Sequence, residues 1–167
     1  LGYDEEEILR NVFIAEQIMK TGGGWQDQAG GIFPGVKVTS SLPGIRQNLD
    51  VKEIKVSEKF RSFFSEKVIL VSTGQRHFGR FIVGDVVSRY LEKNKETLYG
   101  FRKIKELNSD IINSIEKDDF EKFKSCLNEH FSLLKKISPE VTNEKIDELT
   151  KKLLDCCADA VSICGAG

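Results

Sequence analysis

A glycine-rich stretch around one carboxylate is the part of this sequence where residue types and spacing indicate chemistry. The stretch runs from Thr21 to Lys37 and holds six of the 14 glycines together with the only tryptophan, Trp25. Its aspartate, Asp27, is the only acidic residue between Glu16 and Asp50. Glycine is used where the backbone takes a positive φ or approaches another group closely, so this density around one acid indicates a site.

Asp27 has two interpretations on residue pattern alone. A carboxylate held by the backbone amides of a glycine-rich loop is ionised at neutral pH and could accept a proton from a hydroxyl. The alternative is an Asx turn, in which the aspartate only satisfies local backbone donors. Short motifs have a high false-positive rate, so the pattern by itself favours the turn.

The composition is that of an ordinary globular protein. The chain has 167 residues, a length that suits one domain with a buried core, and is 40% hydrophobic and 31% charged. Its 25 basic and 26 acidic residues give a net charge of -1, which offers no general attraction to nucleic acid or to an anionic membrane. No apolar run approaches the roughly 18 residues of a membrane-spanning helix, and no signal peptide is recognisable.

The cysteines and one histidine are expected to be structural. The four cysteines match no zinc or redox spacing, so we expect free thiols and a reducing, cytoplasmic compartment. Two of them, Cys156 and Cys157, are expected in the core. His130 lies on an apolar helical stripe and is predicted to be a buried histidine.

Elements of both kinds are predicted in the first half of the chain. Apolar residues at helical spacing predict a helix from Tyr3 to Met19. Strands are predicted at Ile32–Val38 and Leu49–Val56, with a turn at 40–44 between them, and a short helix from Ser57 to Ser65. The run Lys67–Gly74 is apolar and continuous, as expected of a strand buried on both faces.

Four helices are predicted next, from apolar residues three and four positions apart. They cover Phe78–Leu91, Leu98–Ile115, Phe120–Leu134 and Ile146–Leu153, and Phe81, Tyr90 and Leu91 are among the apolar residues that mark the first. Asp118 or Asp119 is expected to cap the third helix, and Thr142 or Asn143 the fourth. A short strand at Ala158–Cys164 completes a helix-rich α+β chain.

Four blocks in chain order resemble motifs of the fucokinases, which are part of the GHMP small-molecule kinase superfamily. The blocks are Thr21–Gln28 with its continuation to Lys37, Leu70–Arg76, Lys135–Pro139 and Ile163–Gly167. The second is similar to the strand and turn that open the second lobe of these kinases. The third resembles the helix end beside their sugar site, and the fourth the start of a longer glycine-rich signature. Heptose kinases carry a similar but less close version of the first block.

The resemblance implies a kinase that uses ATP and Mg²⁺ to phosphorylate the anomeric hydroxyl of L-fucose or a related sugar. Asp27 matches the aspartate regarded in this superfamily as the catalytic base, or as orienting the substrate hydroxyl. Phosphoryl transfer needs little more than such a positioned carboxylate. Glu16 matches the glutamate that binds magnesium, and a hard cation prefers carboxylate oxygen. An ordinary solvated helix residue is the alternative for Glu16.

Further residues are implied to bind sugar or phosphate. They are Gly23, Gly24, Trp25, Arg76, Gly165 and Gly167. Arg76 would steady phosphate charge by a bidentate contact, although an exposed arginine in a turn is common. Trp25 would pack against the sugar or in the core. The backbone amides of Gly165 and Gly167 would receive an anion. The implied partners are therefore a sugar and ATP, with no nucleic acid and no membrane.

Two superfamily signatures are absent from the sequence. One is an N-terminal motif, and the other a Gly-Leu-(Ser/Gly)-Ser-Ser loop that holds nucleotide phosphates at a helix N-terminus. The last glycine signature is cut short. We therefore expect the second half of a GHMP kinase, with residues 1–56 as the tail of the N-terminal lobe. Residues 57–167 would be a truncated C-terminal lobe, a small antiparallel sheet with about four to six helices.

Such a chain by itself is expected to bind ATP poorly and to turn over negligibly. Three alternatives remain open at this point. The chain could come from a heptose-phosphate kinase of the same superfamily, or from a non-catalytic sugar sensor that keeps the kinase fold. The helices between Phe78 and Leu154 could instead form a dimerisation bundle.

Overall fold

The structure, a computed structural model, describes residues 4–19, 24–44, 49–74 and 79–164. The chain divides into two compact units with the boundary between Val56 and Ser57. The first unit contains α1 (Glu5–Met19), α2 (Gln26–Ile32), β1 (Lys37–Ser41) and β2 (Leu49–Glu53). The second contains α3 (Glu58–Lys67), α4 (Gly79–Leu91), α5 (Lys95–Glu116), α6 (Phe120–Ile137), a 3₁₀ turn (Pro139–Val141) and α7 (Glu144–Cys156). The described residues thus form a helix-rich α+β chain, as predicted, and none of their helices is long and apolar enough to cross a membrane.

The sheet of the first unit is a two-stranded antiparallel ribbon. Lys37 of β1 lies opposite Glu53 of β2, and Ser41 opposite Leu49. The predicted strand from Ile32 is wrong at its start, because Ile32 ends α2 and the strand begins five residues later. Gly35, between the two elements, has a φ of +75°, which glycine adopts without strain.

Helix α2 forms inside the glycine-rich stretch, where a loop was predicted. Glycine in a helix interior costs about 1 kcal/mol relative to alanine, and α2 contains both Gly30 and Gly31. Two tertiary contacts offset this cost. Ala29 is 1% exposed, and the Lys37 ammonium donates to the carbonyl oxygens of Gly30, at 3.0 Å, and Phe33. Packing and a cation at the carbonyl end therefore override intrinsic propensity.

The second unit is built on the packing of α5 against α6. Its central cluster contains the buried residues Leu107, Cys126 and Leu133. The caps settle two of the predicted alternatives. Asp119 begins α6 by accepting from the amide of Lys122 at 3.0 Å, and Asn143 begins α7 by accepting from Ile146 at 3.0 Å.

A cluster of phenylalanines packs α3 against the start of α6. Phe60 is 4% exposed, and its ring meets that of Phe123 edge to face with centroids 5.2 Å apart. The rings of Phe63 and Phe120 stack at 4.3 Å. Ser57 begins α3 by accepting from the amide of Phe60 at 2.9 Å, which confirms the helix predicted there.

Neither of the two strands predicted in the second unit is present. Residues 68–74 have no regular structure, and the side chains of Val68–Val71 are exposed, with Leu70 at 88%. An apolar run becomes a buried strand only where other strands pair with it, and no described residue does so here. The segment 158–164 also forms no strand. The Asn128 side chain instead donates to the carbonyl of Asp159 at 3.0 Å and accepts from the amide of Val161 at 3.1 Å.

Several apolar positions that predicted a helix, and two cysteines expected in the core, are exposed. Among the α4 residues whose burial the structure describes, only Ile82 is buried, whereas Phe81, Tyr90 and Leu91 are 65%, 55% and 72% exposed. The cysteines are free, as predicted, but Cys156 and Cys157 are exposed rather than in the core. His130 is half-buried, and its burial lowers the pKa of the imidazole.

Gly100 of α5 gives a test of the α5–α6 contact. A Cβ atom at Gly100 would lie 2.6 Å from Cγ1 of Ile137, closer than packed atoms approach. We expect Gly100→Ala to lower the free energy of unfolding by about 1–3 kcal/mol in urea titrations. Gly84→Ala on α4 is the matched control, because a Cβ there meets nothing within 4 Å. It should stabilise the chain by about 0.5–1 kcal/mol, and equal effects at both sites would contradict the described packing.

Candidate functional site

A polar contact between α1 and α2 is the centre of the candidate site. The side-chain amide nitrogen of Gln28, Nε2, donates a hydrogen bond to Oε1 of Glu16. Both side chains are half-buried. The other end of the Gln28 amide, Oε1, is buried and meets no donor among the described residues. In this contact the Glu16 carboxylate accepts a hydrogen bond, whereas the Gln28 carbonyl oxygen is buried and has no donor among the described residues.

Asp27 lies in the first turn of α2 and is exposed. Adjacent residues of a helix do not face the same way, so the Asp27 and Gln28 side chains leave α2 in different directions. The hydrogen bond that reaches Glu16 from α2 comes from Gln28. In the described part of the chain no Asx turn accompanies Asp27. The carboxylate is accessible to a ligand on the outer face of the helix.

The other predicted binding residues are only partly covered by the structure. Trp25 is half-buried at the start of α2. This exposure is compatible with both predicted roles, sugar contact and core packing. Gly24 is exposed, and a Cβ there would meet nothing within 4 Å. The remaining four, Gly23, Arg76, Gly165 and Gly167, lie outside the described residues.

Two positioning contacts were not predicted from the sequence. Lys37 holds the carbonyl end of α2 through the oxygens of Gly30 and Phe33, and Gln28 holds α2 to α1 through Glu16. The lysine had a sequence signal, because cations just after a helix bind its last carbonyls. Gln28 had none beyond its place in the glycine-rich stretch. Its partner lies 12 residues away on a different helix, so no periodicity within one element connects the two.

The donor atoms of the candidate site suit a hydrated cation better than a complete metal cage. The described residues contain no group of three or more His, Cys, Asp or Glu side chains that could hold a metal ion. Mg²⁺ is commonly bound by only one or two carboxylates, together with waters and substrate phosphates. The Glu16 carboxylate is a hard oxygen donor of the kind it prefers, and the Gln28 amide nitrogen holds it in place. Glu16 by itself therefore fits magnesium only as one ligand among waters and phosphates.

An open cleft of about 590 Å³ lies elsewhere in the first unit. Its walls come from α1, the turn before β1, Lys37 of β1, and β2, and include Arg10, Phe13 and Asp50. Glu16, Asp27 and Gln28 are not among its lining residues. The cleft therefore shares Lys37 with the candidate site but not the three side chains at its centre.

The sequence is similar to two curated proteins. It is 33% identical over 144 residues to the bifunctional fucokinase/GDP-fucose pyrophosphorylase of Arabidopsis thaliana, over 86% of this chain and 14% of that protein. It is 28% identical over 123 residues to the L-fucokinase/L-fucose-1-P guanylyltransferase of Bacteroides fragilis, over 74% of this chain and 13% of that protein. No family model and no solved structure matches. The chain thus spans about one seventh of the length of these relatives, and it is related to fucokinases.

Proposed function

We propose that this chain supplies the sugar-phosphorylating part of a GHMP-type sugar kinase that acts on the anomeric hydroxyl of L-fucose or a close relative. The observation that carries the proposal is the 33% identity, along 86% of the chain, to a protein named as a bifunctional fucokinase/GDP-fucose pyrophosphorylase. The second similar protein is also named for two activities, fucokinase and guanylyltransferase, and the four sequence blocks assign this chain to the kinase part. Agreement between these names and the four sequence blocks favours fucose over a heptose phosphate.

Asp27 is the proposed base of the reaction. As the sugar oxygen bonds to the γ-phosphorus of ATP, the bond from phosphorus to the ADP oxygen breaks and the hydroxyl proton passes to Asp27. Phosphoryl transfer depends mainly on positioning and electrostatics, so one placed carboxylate meets the requirement. The exposure of Asp27 supports this role, because a substrate can reach its carboxylate.

Glu16 is the proposed ligand of Mg²⁺, with the Gln28 amide holding its carboxylate. Magnesium, when bound, would neutralise charge on the ATP phosphates. In the same proposal Trp25 and the neighbouring Gly23 and Gly24 contact the sugar. The phosphate contacts are assigned to Arg76 and to the amides of Gly165 and Gly167.

The proposal treats this chain as part of a longer enzyme, hereafter the complete enzyme. The chain spans 14% and 13% of its relatives, and it contains no Gly-Leu-(Ser/Gly)-Ser-Ser loop. We assign the first unit to the end of an N-terminal lobe and the second to a C-terminal lobe. The loop that holds the nucleotide phosphates would be supplied by another part of the complete enzyme.

The test is an ATP-dependent phosphorylation assay over a sugar panel. We expect the complete enzyme to phosphorylate L-fucose in preference to heptose phosphates, and the 167-residue chain alone to show negligible turnover. Rapid turnover by the chain alone would contradict the assignment of the nucleotide loop to another part. If the complete enzyme bound L-fucose without phosphorylating any sugar of the panel, the sensor alternative would replace the kinase.

A further inference from the structure

The side-chain carbonyl of Gln28 is the polar group that the proposed chemistry leaves unexplained. Its Oε1 is buried and no described residue donates to it. The large majority of buried side-chain polar atoms in native proteins have a hydrogen-bond partner, since an unpaired one loses its hydration without compensation. The next residue, Ala29, is 1% exposed, so α2 is anchored beside Gln28. Gln28 as a whole is half-buried, so other parts of its side chain reach the surface.

Reversing the amide does not remove the difficulty. A reversed amide would turn Oε1 towards the carboxylate oxygens of Glu16, which are acceptors. Two acceptors would then face each other, and the hydrogen bond from Nε2 to Glu16 would be lost. The Glu16 carboxylate therefore determines which end of the Gln28 amide faces it. Oε1 must point away from Glu16 and needs a donor from elsewhere.

We propose that Oε1 of Gln28 accepts a hydrogen bond from an O–H group that arrives with the ligand of the candidate site. This inference rests on the proposed function. A sugar offers hydroxyl donors, and a magnesium ion that keeps several waters offers donors of the same chemistry. Gln28 would then have two roles, since it binds ligand through Oε1 and positions Glu16 through Nε2. One rigid amide plane would couple the Glu16 carboxylate to ligand binding.

The test replaces Gln28 in the complete enzyme and measures binding without turnover. Gln28→Met keeps the length of the side chain and removes both amide functions. The matched control is Gln26→Met, a change of the same type at an exposed position of the same helix. L-fucose affinity is measured by calorimetry without a metal ion, and Mn²⁺ affinity by electron paramagnetic resonance without sugar. We expect Gln28→Met to weaken one of them about tenfold, the effect of one lost hydrogen bond.

The two measurements identify the donor. A loss confined to L-fucose assigns the O–H group to the sugar, and a loss confined to Mn²⁺ assigns it to a water on the cation. To separate binding from positioning, Gln28→Met is repeated in a Glu16→Asp background, which keeps a carboxylate for the cation but withdraws it from Gln28 by one methylene. A direct contact through Oε1 gives the same fold-loss in both backgrounds, whereas a role only through Glu16 gives no further loss in the second.

Some results would overturn the inference. If Gln28→Met binds both probes as tightly as Gln26→Met, or loses affinity only when Glu16 is intact, Oε1 does not accept from the ligand. Gln28→Asn, which withdraws the carbonyl by one methylene, replaces Gln28→Met if the latter unfolds, and the same outcomes apply. A wild-type enzyme that neither binds nor phosphorylates L-fucose would instead overturn the proposed function, so the two failures are distinguishable.

Discussion

Asp27→Asn is expected to lower the rate of L-fucose phosphorylation by the complete enzyme by about 10²–10⁴-fold, the usual contribution of a general base. Asparagine keeps the size of the side chain but cannot take up the hydroxyl proton. The loss should appear in kcat, with little change in KM for the sugar, because the proton moves only in the transition state. Folding should be unaffected, since Asp27 is exposed and α2 is held by Ala29, Gln28 and Lys37.

The matched control for this prediction is Asp155→Asn. Asp155 is also an exposed aspartate in a helix, and it lies in α7 of the second unit. Both variants are compared by steady-state kinetics, and Asp155→Asn should keep the turnover of the wild-type enzyme. If Asp27→Asn kept full turnover as well, the carboxylate would not be the base. If both variants bound sugar as well as the wild type and none of the three proteins phosphorylated it, the protein would be a sensor.

The helices of the second unit could be predicted because each carries its own local signals. Asn143 caps α7 through a bond to a backbone amide three residues later, a pattern that the sequence displays directly. The apolar run at 68–71 carries no comparable signal, because the same residues form a buried strand only if other strands pair with them. Near the end of the chain, the Asn128 side chain takes the hydrogen bonds that a neighbouring strand would have made. No periodicity in the sequence reveals that a side chain takes the place of a neighbouring strand.

For the candidate site the sequence indicated a chemistry, which stays a prediction, and did not indicate the geometry. The density of glycines and the four sequence blocks pointed to Asp27. The resemblance to the kinase family pointed to Glu16. The helix through Gly30 and Gly31 was not predictable, because tertiary contacts offset the intrinsic cost of those glycines. The contact of Gln28 with Glu16 likewise depends on how α1 packs against α2. Residue types thus predicted a chemistry for the site, and packing determined which side chains meet.

Phe60→Ala is expected to lower the free energy of unfolding of the second unit by about 3–5 kcal/mol, the range for deleting a buried phenylalanine ring. Phe60 is 4% exposed and meets the rings of Phe120 and Phe123 at centroid distances of 5.7 and 5.2 Å. Its removal loses the transfer free energy of the ring and leaves a cavity between α3 and α6. The edge-to-face contact with Phe123 adds about 0.5–1.5 kcal/mol beyond buried area.

The chain offers a matched control for this cluster on the same helix. Phe64 lies one turn after Phe60 and stacks on it at 6.5 Å, but is 49% exposed. Urea titrations followed by circular dichroism should show a loss of only about 1 kcal/mol for Phe64→Ala, because half of that ring already contacts water. A loss for Phe60→Ala as small as that for Phe64→Ala would mean that the ring cluster does not hold α3 against α6. A large loss at Phe60 alone would show that burial, rather than the number of neighbouring rings, determines what each phenylalanine contributes.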